Sequence, residues 1–207
     1  SILPLSPPTV NSTCSPFRRK SFPISSRKRR RLCTSAKVRS ASLYPSFSRY
    51  NALGYGRHSG TVWPHAQAFW ASAIADTSPA AFEKELLTLT RNALRSGQFA
   101  EIYHPETGLP YGGVQEEHGK MNPDWVSQPR QTWSATGYLR MILNGLAGLH
   151  FQENGILVKP VRTESVRMLT LRGLKWRGRE LDLSIRNFST SVFLPIEGEG
   201  PLSVSLS

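Results

Sequence analysis

No acidic residue occurs before Asp76. The first 50 residues hold eleven lysines and arginines, five of them in the run Arg27, Lys28, Arg29, Arg30 and Arg31. The same stretch is rich in serine, sets Pro7 beside Pro8, and spaces its few apolar residues irregularly. Such a segment cannot bury enough apolar surface to offset the entropy of ordering it. Whatever folds in this chain of 207 residues must therefore be built from the residues beyond Tyr50, and residues 1–50 read as a disordered basic tail. Three origins fit that composition: an organelle transit peptide, a nuclear-localisation or nucleic-acid patch at Arg27–Arg31, or a foreign leader joined near Tyr50. The first places the protein in a plastid or mitochondrion; otherwise the expected compartment is cytoplasmic.

With the tail set aside, the net charge of +12 changes meaning. Residues 51–207 carry 15 basic and 14 acidic residues, a net of +1. A nucleic-acid-associated function would rest on the tail alone, so nucleic acid is not the expected partner of the ordered part. Both cysteines, Cys14 and Cys33, fall in the tail, which leaves the rest without a disulfide framework or thiolate metal site. The histidines His58, His65, His104, His118 and His150 show no metal-ligand spacing, and no metal or cofactor is expected. No run of eighteen apolar residues marks a membrane span.

Two helices are legible after Tyr50. Pro64 suits a first helical position, and small residues (Ala66, Ala68, Ala71, Ala73) interleaved with Phe69, Trp70 and Ile74 predict a closely packed helix to about Ala75. Ser78 as N-cap and Pro79 at N1 open a second, ending at Ser96 with Gly97 past its end. Its apolar positions Phe82, Leu86, Leu89 and Ala93 form one stripe. The stretch Phe99–Gly113 comes next, F-A-E-I-Y-H-P-E-T-G-L-P-Y-G-G, a loop held by prolines and glycines. Glu101 stands at its entrance between Ala100 and Ile102, beside Tyr103 and His104, where desolvation could make a carboxylate a general base. A long helix is expected over Gln131–Phe151, although Gly137, Gly145 and Gly148 each lower its propensity by about 1 kcal/mol. From Gly155 the period changes, and short runs ending at Ser191–Leu194 predict a small antiparallel β element of three to five strands.

Three segments in this order are similar to a known family. Gly60-Thr61-Val62-Trp63-Pro64-His65, then Glu101-Ile102-Tyr103-His104-Pro105-Glu106-Thr107-Gly108, then Gln131-Thr132-Trp133-Ser134-Ala135, resemble the carboxy-terminal third of six-hairpin glycoside hydrolases. These (α/α) toroids include mannosylglycerate-hydrolase-like, processing α-glucosidase and amylo-1,6-glucosidase enzymes. The resemblance, over residues 52–186, implies a mainly α fold: a partial six-hairpin (α/α) barrel over 51–153 and a β cap over 154–207, behind the tail. It implies an inverting hydrolase of O-glycosyl bonds with a carbohydrate substrate and Glu101 as general base. Trp63, His65, Gln131 and Trp133 would line the sugar pocket, with Glu116 and Tyr103 as further contacts. An inverting enzyme also needs a general acid roughly 6.5–9.5 Å from the base. The resemblance puts that acid upstream of Trp63-Pro64, where this sequence has none, so the chain is expected to be an incomplete and inactive fragment. A non-catalytic carbohydrate-binding or interaction remnant is the alternative.

Overall fold

The computed structural model describes residues 41–42, 45–50, 53–198 and 200–207. Expectations for the tail up to residue 40, including the Arg27–Arg31 run and both cysteines, lie outside them.

Helix α1 (Pro64–Ile74) starts with Pro64 at its first position and buries Gln67, Ala68 and Ala71 on one face. Helix α2 (Pro79–Ser96) begins where the Ser-Pro pair predicts, although the Ser78 side chain makes no capping bond. It ends on Gly97 at φ 65, a left-handed conformation in which glycine carries no Cβ penalty. Phe82, Leu86 and Leu89 are the buried stripe. Helix α3 (Thr132–Arg140) packs on α1, which also contacts α2. The approach is close because Gly137 faces it: a Cβ there would stand 3.1 Å from the Cβ of Ala68 and 3.2 Å from the Cα of His65.

The helix expected over Gln131–Phe151 runs from Thr132 only to Leu146, and its second half is not α-helical. After Arg140 the chain passes into a π-helical turn, Met141–Leu146, and then reverses into a strand. Two of the glycines read as propensity penalties are the cause. Gly145 abuts the ring of Phe82, where a Cβ would collide. Gly148, at φ 66, lies against the Lys159 backbone and makes the reversal.

Eight strands occur among the described residues. β1 (Gln115–Glu117) and β2 (Lys120–Asn122) form a hairpin. β3 (Leu149–Phe151), β4 (Gly155–Val158) and β7 (Val192–Pro195) form an antiparallel sheet in the order β3-β4-β7. β5 (Leu169–Trp176), β6 (Arg179–Ile185) and β8 (Leu202–Leu206) form another in the order β5-β6-β8. β6 pairs β5 antiparallel but β8 parallel, with Leu181 opposite Leu202 and Ile185 opposite Leu206. The alternation read from the sequence is realised in β6, where Leu181, Leu183 and Ile185 are buried and Asp182 is exposed. These three join Phe82 and Leu89 of α2, Met141, Leu149 and Ile156 in one hydrophobic core.

This architecture overturns the mainly α reading and the six-hairpin resemblance with it. Three α-helices and eight strands are present among the described residues, 29% helical and 27% extended, so nothing here is an (α/α) toroid. A toroid needs successive helical hairpins; here the third helix gives way to sheet at Leu149. Nor is the β part a single antiparallel element, since it comprises two three-stranded sheets and a separate hairpin.

One buried carboxylate ties the two parts together. Glu83 of α2 accepts the backbone N–H of Glu164 at 2.8 Å and of Ser165 at 2.6 Å, fixing the segment that leads into β5. Burial pushes its pKa up, but the backbone donors outweigh burial and hold it below the ordinary glutamate value. A folded-state value below the unfolded one stabilises the protein above the unfolded pKa, and that contribution is lost as pH falls through the folded value. Glu83→Gln should therefore flatten the acid limb of a Tm-against-pH curve below about pH 5. An unchanged acid limb would show that other carboxylates set it.

Candidate functional site

Three segments distant in sequence meet beside the N-terminus of α1. Val62 and Tyr103 exchange backbone hydrogen bonds of 3.0 and 2.8 Å, and Arg57 N–H donates to the Val114 carbonyl at 2.8 Å. Glu101 N–H donates to the Gln128 carbonyl and Gln131 N–H to that of Phe99, both at 2.8 Å. The turn at Tyr55–Trp63, the loop Phe99–Val114 and the approach to α3 are thus held together without a continuous strand.

At their junction lies Arg57, only 9% exposed. One guanidinium nitrogen donates to Glu101 Oε1 at 2.8 Å and another to the Gly112 carbonyl at 3.1 Å. The guanidinium carbon sits 5.5 Å from the centroid of the Trp63 ring and 5.0 Å from that of Trp125, so two indoles flank the charge. Such placement suits a desolvated cation. The Arg57 carbonyl in turn accepts the Thr61 hydroxyl at 2.5 Å and the Trp63 indole N–H at 2.9 Å.

Glu101 is buried, with both carboxylate oxygens bonded. Besides Arg57, it accepts the Gln128 N–H on Oε2 at 3.2 Å, so each carboxylate oxygen already has one donor.

Outside this pair lies an aromatic group. His58 stacks on Trp63 with centroids 5.0 Å apart and planes 15° from parallel. His65 meets Trp63 edge-on at 5.7 Å, and Trp133 lies 5.7 Å from His65 and 6.4 Å from Trp63. Trp133 is 46% exposed, whereas Trp63 is half-buried with its N–H occupied. His65 Nδ1 is buried with no hydrogen-bond partner among the described residues. An open indole therefore lies beside a buried imidazole nitrogen that has no partner among the described residues.

Of the residues singled out from the sequence, Trp63, His65, Trp133 and Glu101 are brought together here. Gln131 anchors the start of α3 through its backbone and is half-buried. Tyr103 is a core residue with no exposure; its hydroxyl accepts Ala100 N–H at 2.9 Å and donates to the Gln98 carbonyl at 3.1 Å, which removes it from any sugar-contacting role. Glu116 stands on the β1 strand, exposed and paired with Arg49 at 3.2 Å. Arg57, Trp125 and His58 are the residues that sequence reasoning missed. Arg57 lay in a segment legible only as a turn, and its partner is 44 positions away.

His104 serves the loop itself. Its Nδ1 accepts the N–H of Glu106 at 3.2 Å and of Thr107 at 3.3 Å, closing the Pro105–Gly108 turn. Burial pushes its pKa down, with Glu106 opposing, which favours the neutral ring that such acceptance requires.

The end of the expected tail also reaches this region. Ser42 N–H donates to the Thr61 carbonyl at 2.9 Å, Phe47 N–H to the Ser59 hydroxyl at 2.8 Å, and Tyr50 is buried against Gly56. Among the described residues no group of histidines, cysteines and carboxylates is arranged to hold a metal ion, and no helix is long and apolar enough to cross a membrane.

No protein-family model and no curated protein matches the chain. The likeness to six-hairpin glycosidases thus finds no support beyond the three short segments that suggested it.

Proposed function

We propose that the chain handles carbohydrate at the Trp133 face, with Glu101 as the carboxylate that would serve hydrolysis of an O-glycosidic bond. The observation that carries this reading is the exposed Trp133 indole beside the unpartnered, buried Nδ1 of His65. Sugar rings pair an apolar face with polar edges, so an open aromatic surface next to a polar atom in need of a partner is complementary to them. Trp63 lies 6.4 Å from Trp133 at a tilt of 45°, with its indole N–H already bonded to the Arg57 carbonyl. Glu101 is buried at the back of this face through Arg57, and each of its oxygens keeps a lone pair beyond the bonds it already accepts.

Binding and chemistry separate experimentally. Trp133→Ala should abolish retention on a panel of immobilised oligosaccharides while moving Tm little, since the side chain is half exposed. Retention unchanged by that substitution would refute the face. Glu101→Gln should lower any glycosidase turnover at least about a hundredfold, with a smaller change in KM. Sugar retention with no turnover in the parent chain would leave a carbohydrate-binding protein and remove the hydrolytic part of the reading.

A further inference from the structure

A cavity of about 520 Å³ runs along the C-terminal half of α2 and is walled by the Pro105–Gly108 turn. Gln67, Arg91, Asn92, Arg95, His104 and Glu106 are among the residues that line it. Gln67 is 1% exposed. Its Nε2 donates to the Glu85 carboxylate at 2.8 Å and to the Glu85 carbonyl at 3.3 Å, which fixes the orientation of the amide. Its Oε1 is then left buried with no hydrogen-bond partner among the described residues. A buried carbonyl oxygen without a donor carries the cost of its lost hydration.

The opposite wall is cationic. Arg91 and Arg95 are one helical turn apart, on the same face of α2. Each is steadied by a single backbone contact, Arg91 Nε to the Leu87 carbonyl at 3.0 Å and Arg95 Nη1 to the Thr107 carbonyl at 2.8 Å. The remaining donors of both forks suit the paired oxygens of a carboxylate or phosphate. Asn92 is 8% exposed and its amide lies against Gly108 of the turn. Glu106, the acid among these six, already accepts the Tyr55 hydroxyl at 2.9 Å.

We propose that this cavity binds a small anionic polyol, a sugar or sugar-like molecule bearing one carboxylate or phosphate. The anion is held by Arg91 and Arg95, and a ligand hydroxyl donates to Gln67 Oε1. This site stands apart from the Trp133 face and does not depend on it.

Calorimetric titration of the full chain with galacturonate, glucose 6-phosphate, glucose and inorganic phosphate tests the assignment. At least one of the two anionic sugars should bind saturably, and which one does identifies the anion. Glucose and inorganic phosphate should each bind at least about tenfold more weakly. Arg91→Gln and Gln67→Leu should each weaken that affinity by about tenfold, the first through an exposed residue that leaves the core untouched. Trp133→Ala should leave it unchanged, so loss of the aromatic face and loss of this site are distinguishable. The proposal is overturned if neither anionic sugar binds saturably, if glucose or inorganic phosphate binds as tightly as the anionic sugar that does, or if Arg91→Gln has no effect.

Discussion

Replacing Arg57 with methionine should destabilise the protein by about 3–5 kcal/mol, the usual consequence of removing one partner of a buried ion pair. Methionine keeps the unbranched stem between Trp63 and Trp125 but leaves the Glu101 carboxylate with no cation and the Gly112 carbonyl with no donor. For a folded part of this size each kcal/mol shifts Tm by roughly 2–4 °C, so a fall on the order of 10 °C is expected. The reverse deletion sharpens the test. Glu101→Gln in the Arg57→Met background should recover much of the loss, because the stranded charge is then gone. Urea denaturation of the two single variants and the double variant measures the coupling directly. A loss under about 1 kcal/mol for Arg57→Met would mean that water reaches the pair and that the site is far more open than its burial indicates.

The second large effect belongs to the core. Phe82 is fully buried in α2 and its ring fills the space left by the missing side chain of Gly145. Phe82→Ala should cost about 3–5 kcal/mol through lost burial and the cavity that remains. Gly145→Ala should cost about 1–3 kcal/mol for the opposite reason, overpacking against the same ring. Combined, the two should cost clearly less than their sum, since the new methyl enters the space the phenyl vacates. Strict additivity in equilibrium denaturation would show that the π turn, and not this contact, determines what Gly145 tolerates.

The sequence made the helical hairpin legible almost to the residue because its signals are local. Pro64 and Pro79 start helices, Gly97 ends one, and the Phe82–Leu86–Leu89 stripe faces the core as its spacing requires. Where the outcome depends on residues far apart, the reading failed. Propensity marks the glycines of 131–151 as a cost that close neighbours must offset, but those neighbours, Phe82 and Lys159, lie outside any window around them. The parallel seat of β8 on β6 is likewise a tertiary choice, invisible in strand alternation. At the site, aromatic residue type exposed Trp63 and Trp133, and apolar neighbours flagged Glu101 as a candidate for burial. Adjacency to Glu101 makes Tyr103 a candidate in the sequence, but its side chain is core. Arg57 carried no local mark at all, since a lone arginine in a Gly-rich turn reads as solvated until a partner is seen.

The backbone bridges that join Val62 to Tyr103 and Gly56 to Val114 bear on the order in which the molecule assembles. Both close long stretches of chain, and the side-chain contacts from Arg57 to Glu101 and Gly112 span 44 and 55 residues. The entropy of closing a loop grows only logarithmically, about 0.6 kcal/mol per doubling, so remoteness costs this junction little at equilibrium. It weighs more on timing. The α1–α2 hairpin rests on neighbours in sequence and can form on its own schedule, whereas contacts of this span are slow to find one another. The junction around Arg57 is therefore expected to complete late, after the scaffold beneath it has formed.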